Sequence, residues 1–354
     1  MQNAAPVATR RRGITAALPA ALLILLLAVF AAGCGSSDDS TTSGSEGSSG
    51  SSGGKVDLVA YSTPETVYTE AIEPAFEATP EGSDVSFSNS FGGSGDQSRA
   101  VEAGQSASLV HLSLEPDVTR LVEAGIVSPD WDKQPYDGIG QDSVVVITTR
   151  AGNPEGIKSF DDLLTKDVEI VTPNPFASGG ARWNLMAVYG SQIEAGKSPD
   201  EALDAIKTVL EKTVVQPGAA SDSLAAFSQG QGDVLLSYEN EAIRAQNEGE
   251  DVDYVIPQST ILIETPIAVT KDASPAAQAF LDFVWSDEGQ ELWAESGYRP
   301  VNPKLVDPKQ FPTPKNLFTI DDLGGWEKVS DEFFDPETGK VADVEKELGV
   351  STAG

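Results

Sequence analysis

An extended apolar run, then a loop of serine, glycine and alanine, then a helical pattern: this order recurs along the chain. It restricts the chain to an α/β fold with mainly parallel sheets. The order occurs in VSFSNSFGGSGDQSRAVEAG (85–104), in VEIVTPNPFASGGARWNLMAVYG (168–190), and in TVVQPGAASDSLAAFSQGQG (213–232), which runs on into DVLLSYENEAI. A shorter version opens the folded part. There a strand from Val56 to Tyr61 meets the turn Ser62-Thr63-Pro64, and apolar residues then keep helical spacing as Val67, Ala71, Ala75 and Tyr68, Ile72, Phe76. Pro74 predicts a kink in that helix. In an α/β sheet such loops gather at the carboxyl ends of the strands and share one crevice.

The loop Ser178-Gly179-Gly180 has two readings. The first N–H groups of a helix lack partners within it and carry partial positive charge, so the loop can cradle an oxyanion. Alternatively its glycines only relieve strain in a strand-to-helix turn. The recurrence of the same loop type after several strands favours the anion. Ser94, in the GGSGD loop, is the candidate N-cap of its helix.

Two β-branched runs, Asp142 to Thr149 and Ser259 to Thr270, flank the middle third and read as crossovers between two lobes. Lobe one then comprises 55–143 plus 263–354, and lobe two 144–262. About 300 residues are more than one core usually holds, which agrees with two lobes. The segment from Ser274 to Pro300 reads as helical, with Phe280, Val284 and Leu281, Trp285 at i, i+4 spacing. The acidic tail from Phe311 predicts a last helix packed through Trp326 and Val329.

The first residues carry Arg10 to Arg12, then an apolar run from Ile14 to Phe30, which reads as an export signal (1–34) rather than part of the fold. It ends in Ala31-Ala32-Gly33-Cys34, which resembles a bacterial lipobox with Cys34 as the lipidated residue. The arginines allow Sec or twin-arginine export. A Gly/Ser tether follows over 35–54. Cys34 is the only cysteine, so no disulfide or cysteine-based metal cluster forms within one chain. A net charge of −32 argues against nucleic acid or an anionic membrane surface as partner.

Together, FGGSGDQSRAV, TPNPFASGGARWN, GDVLLSYENEAI and DEGQELWAESGYRP resemble the sulfate-binding proteins of ABC importers, in the type II periplasmic-binding-protein fold. The similarity runs from about Lys55 to Pro300. It implies two lobes, each a mainly parallel sheet flanked by helices, with a dehydrated dianion in the cleft between them. Main-chain donors are implied at Ser62, Ser94 and Ala219. The opening loop would supply the Ser178 hydroxyl with the Gly179 and Gly180 N–H groups, and Tyr238 stands where the family commonly has a tryptophan donor. Ser62, Phe91 and Asp96 also depart from the family, which commonly has Asp, His and Lys there. Arg182, one turn into its helix, is expected behind the site and turned away from the anion.

The resemblance implies no enzyme, no cofactor and no metal. It implies a monomer held to the membrane only through its lipid, outside the cytoplasm, with an ABC permease and its ATPase as partners. Sulfate carries no proton at neutral pH, so a set of donors alone suits it, whereas hydrogen phosphate also needs an acceptor. Thiosulfate, molybdate or tungstate, and phosphate are the alternative ligands. Asp96 and Asp222 are the only nearby candidates for an acceptor, and both read as solvated first-turn residues. A donor-only site predicts little pH dependence between about pH 6 and 8; binding that rises as pH falls would place a carboxylate there. His111, the single histidine, lies in strand-like SLVHLSL and reads as packed rather than catalytic. An esterase or phosphoesterase, or a lipoprotein that binds proteins, are the remote alternatives. No GxSxG elbow or P-loop supports the former, and the converging loops argue against the latter.

Overall fold

The structure is a computed structural model that describes residues 54–353. The export signal, Cys34 and all of the tether but Gly54 lie outside the described residues.

Strands β1 (Gly54–Tyr61), β2 (Val85–Gly92) and β3 (Leu109–His111) form a parallel set with β1 in the middle. Such a strand is covered on both faces over its second half, which is why Leu58 to Tyr61 reads as continuous apolar sequence. A second parallel set holds β5 (Ile170–Val171) between β6 (Thr213–Val215) and β7 (Val234–Tyr238). Two long strands, β4 (Ile139–Arg150) and β9 (Ser259–Val269), join the sets and pair antiparallel with each other. The first half of β4 pairs with β9, while Val145 to Thr149 pair with β7 and Ile147 to Arg150 with β8 (Val252–Val255). At its other end β9 pairs with β3 through Ile267 to Val269. The resulting order is β2-β1-β3-β9-β4-β7-β5-β6, a two-lobe α/β fold in which β4 and β9 are the crossing strands.

Each lobe has its own apolar core. One is built on Leu58, Tyr68, Phe76, Phe280 and Trp293; the other on Trp183, Met186, Ile206, Leu236 and Ile263. Long-range packing of this kind, rather than propensity, stabilises short helices.

Four local expectations change. Ahead of Pro74 the helix does not simply kink: a π turn, Tyr68–Ile72, separates α-helical Glu65–Val67 from Glu73–Glu77, accommodating a proline that lacks an N–H to donate. The N-cap of the Ser94–Glu102 helix is Gly93, so Ser94 is its first residue rather than its cap. The segment after Ser274 is two helices, Pro275–Trp285 and Asp287–Glu295, because Ser286 ends one and caps the next by accepting from the Gly289 N–H at 3.1 Å.

The fourth correction concerns the tail, assigned above to lobe one as part of 263–354. It packs on the other lobe. Trp326 meets Trp183 edge to face at 4.7 Å between centroids, and Phe333 meets Tyr189 at 4.9 Å. The Lys340–Leu348 helix lies against the Pro199–Glu211 helix. Trp326 and Val329 are both buried, as their spacing predicts. The reason is geometric: after β9 the chain returns along β10 (Asn316–Phe318), which pairs with the lobe-two end of β9.

Candidate anion-binding site

Every element that ends at the interlobe crevice contributes a helix start or a turn. The Ser62 turn follows β1, and Ser94 begins a helix after β2. Gly179 and Ala220 begin the helices Gly179–Glu194 and Ala220–Ser228 after β5 and β6, and Tyr238 at the end of β7 caps the helix Glu239–Asn247. The aligned peptide dipoles put partial positive charge at each of these ends. Between them lies a cavity of ≈ 180 Å³ walled by Tyr61, Ser62, Gly92, Ser94, Ser113, Ser178, Gly179, Gly180, Ala220 and Tyr238.

Among the described residues, the main-chain N–H groups of Ser62, Ser94, Gly179, Gly180, Ala219 and Ala220 have no partner within the chain. The Ser178 hydroxyl, on an N-cap residue only 3% exposed, makes no capping bond and no other hydrogen bond. The sequence-level candidates therefore converge, with one displacement. Ala219 is the N-cap of its helix, and the residue on the cavity wall is Ala220.

The serine hydroxyls have different tasks. Ser94 Oγ donates to Asp117 Oδ2 at 2.6 Å and accepts from the Ser113 N–H, so only its main-chain N–H faces the cavity unoccupied. Ser62 Oγ accepts from the Ser221 N–H across the crevice at 3.4 Å. Ser113, which motif reading missed, shares a 2.6 Å hydrogen bond with the Tyr238 hydroxyl. It sits two residues past β3, at a strand end like the others. Its loop holds no glycine and so did not stand out; position after a strand was the usable signal.

The two lobes meet closely here. The Gly95 N–H donates to the Ala177 carbonyl at 3.1 Å, and Trp183 Nε1 donates to the Ser113 carbonyl at 2.8 Å. A methyl group on Gly93 would lie 2.6 Å from the Gly218 carbonyl oxygen and 2.7 Å from that of Ala177, and one on Gly179 would lie 2.6 Å from Ser113 Oγ. At Gly93 the backbones approach within the space a side chain would fill, and at Gly179 the side chains of Ser113 and Leu114 occupy that space, so glycine fits both positions.

No cation touches the cavity wall among the described residues. Arg182 Nε donates to the Pro175 carbonyl at 2.8 Å and its guanidinium faces the Phe334 ring, so it braces the loop from behind, off the cavity. Asp96 is exposed and paired with Arg99 at 2.6 Å, and Asp222 is exposed on its first turn. His111 is fully buried, engaged by Tyr68 and Thr265, and burial pushes its pKa down to about 3, which keeps it neutral. Phe91 stacks on Tyr68 away from the wall.

The family model described as bacterial extracellular solute-binding protein matches residues 56–299. The sulfate-binding protein of Synechococcus elongatus is 41% identical over 293 residues, 79% of this chain and 83% of its own. The thiosulfate-binding protein of Escherichia coli is 32% identical over 282 residues, 75% of this chain and 83% of its own. Among solved structures, the sulfate-binding protein SubI from Mycobacterium tuberculosis superposes with a TM-score of 0.77 at 43% identity, covering 79% of this chain and 99% of that one. The periplasmic binding protein P5PA shares the fold at 21% identity and a TM-score of 0.62. With most of its described length inside the family match, and with its loops converging on an interlobe cavity, this chain belongs to the bacterial extracellular solute-binding proteins.

Proposed function

We propose that this protein captures sulfate between its lobes and delivers it to an ABC importer. The observation that carries the reading is the set of unpartnered main-chain N–H groups and the free Ser178 hydroxyl around a small cavity whose wall has no carboxylate. A dianion without a proton satisfies such a set. Hydrogen bonds to a charged partner contribute about 1.5–3 kcal/mol each, so half a dozen can offset dehydration and leave about 8 kcal/mol, a micromolar complex. The names of the sulfate-binding relatives support the same ligand; thiosulfate-binding relatives are less similar. Titration calorimetry of the purified protein with sulfate, thiosulfate, molybdate and phosphate tests this. One sulfate per chain, with phosphate silent, is the expected result; a preference for phosphate would overturn it.

The role is that of a binder and not an enzyme: the cavity presents donors without a nucleophile beside a base. The crossing strands support a lobe boundary near residue 144 and another near 262, and the protein acts as a monomer. Its place is outside the plasma membrane, anchored through a lipid on Cys34, which the apolar run followed by Ala31-Ala32-Gly33-Cys34 supports. Cys34→Ser is expected to move the protein from the membrane fraction to the soluble fraction with unchanged sulfate affinity. Retention in the membrane would refute the lipid anchor.

A further inference from the structure

We infer that the C-terminal tail is a functional part of the anion site: through Asn174, with Arg182 and Trp183 beside it, the tail holds the lobe-two donors in position for the anion. This rests on the sulfate reading above.

Asn174 stands between two prolines in the loop that runs from β5 to Ser178, and it is not itself on the cavity wall. Its main-chain N–H donates to the Pro217 carbonyl at 2.8 Å, which ties this loop to the one leading to Ala219 and Ala220. Its carbonyl accepts from the Ala177 and Ser178 N–H groups at 3.2 and 2.9 Å, so the same residue shapes the approach to Ser178. The side chain is engaged at both ends. Oδ1 accepts from the Phe176 N–H at 2.8 Å, closing an Asx turn, and Nδ2 donates to the Ser351 carbonyl of the tail at 3.1 Å. One residue thereby joins both donor loops of lobe two to each other and to the end of the chain.

Two neighbours repeat the arrangement, with one end on the backbone around the site and the other on the tail. Arg182 Nε holds the Pro175 carbonyl, and its guanidinium lies 5.0 Å from the centre of the Phe334 ring. Trp183 Nε1 holds the carbonyl of Ser113, a wall residue, and its ring meets Trp326 edge to face. Trp183, Trp326 and Phe334 are all buried, so these contacts are packed rather than solvated. The tail lies beyond residue 299, where the family match ends. Donors for a buried dianion act best when they are already in place, because any loop left to order on binding subtracts from affinity. Asn174 is therefore a positioning residue, and the tail is what it is positioned against.

Calorimetry with sulfate on Asn174→Ser and Phe334→Leu, together with hydrogen exchange on the sulfate-free proteins, tests it. Serine keeps an acceptor for the Phe176 N–H but does not reach Ser351, and leucine keeps an apolar side chain but offers Arg182 no ring face. Phe334→Met serves if the leucine variant does not fold. Each variant is expected to bind sulfate about 2- to 30-fold more weakly, the range for residues that act on a site without touching its ligand. Exchange at residues 174–180 should quicken while residues 185–191, in the body of the following helix, keep wild-type protection. Equal loss of protection in both stretches would mean general destabilisation and would overturn the inference, as would wild-type affinity in either variant. Sulfate failing to bind the wild type would refute the function instead. Unchanged exchange at 174–180 in both variants would refute the tail's hold on the loop whatever the ligand.

Discussion

Arg299→Met is expected to destabilise the protein by about 3–5 kcal/mol, read as a fall in the urea midpoint at unchanged slope. Arg299 is 7% exposed and its partner Glu239 is fully buried; Nε meets Oε2 at 2.7 Å and Nη2 meets Oε1 at 3.1 Å. A third donor contact, Nη2 to the Pro312 carbonyl at 3.0 Å, ties in the loop before the tail. The main chain of Arg299 bonds reciprocally to that of Asp142 on β4, so the pair links the end of one lobe's helices to the first turn of a helix in the other. Methionine fills much of the same volume but leaves a buried carboxylate without its cation. Burial already raises Glu239, with Arg299 opposing that rise, and loss of the arginine lets it climb further. A carboxyl raised in the folded state contributes stability at low pH that is lost as pH rises, so the deficit should be smaller at about pH 5 than at about pH 8. Arg299→Met with Glu239→Leu should recover most of the loss, since a well-packed apolar pair is often as stable as a buried ion pair. A single variant as stable as wild type would show that the pair contributes nothing to folding.

Tyr238→Phe is expected to weaken sulfate binding by about 1–3 kcal/mol, roughly 5- to 150-fold, with the fold intact. The tyrosine is 1% exposed, walls the cavity, and shares its hydroxyl with Ser113 Oγ at 2.6 Å. One of these two hydroxyls donates to the other, which leaves one hydrogen for an anion. Phenylalanine removes the pairing and strands Ser113 in a buried position. Tyr238→Trp should do less harm to the donor count, because an indole N–H can replace the hydroxyl. Calorimetry on both variants decides, and a phenylalanine variant with wild-type affinity would take Tyr238 out of the site.

Much of the cavity wall is legible in the sequence. Where a strand ends in SGG or GAAS and a helix begins, free N–H groups and a positive dipole end follow from local backbone geometry alone, which is why Ser62, Ser94, Ser178, Gly179 and Gly180 all lie on the cavity wall. The displacement from Ala219 to Ala220 is the one-residue uncertainty of any helix start. Other features resisted reading because they depend on residues far apart in the chain. Ser113 meets Tyr238 across 125 positions, and Asp117 takes the Ser94 hydroxyl across 23.

The chain itself therefore determined the α/β class, the crossing strands and a donor-lined crevice, since periodicity and helix starts are properties of a few neighbouring residues. Tertiary structure decided which hydroxyls remain free for a ligand and that the tail packs against the Gly179–Glu194 helix. Each of these depends on how the lobes close, and the free energy of closure comes from packing and desolvation between surfaces that no local stretch of sequence contains.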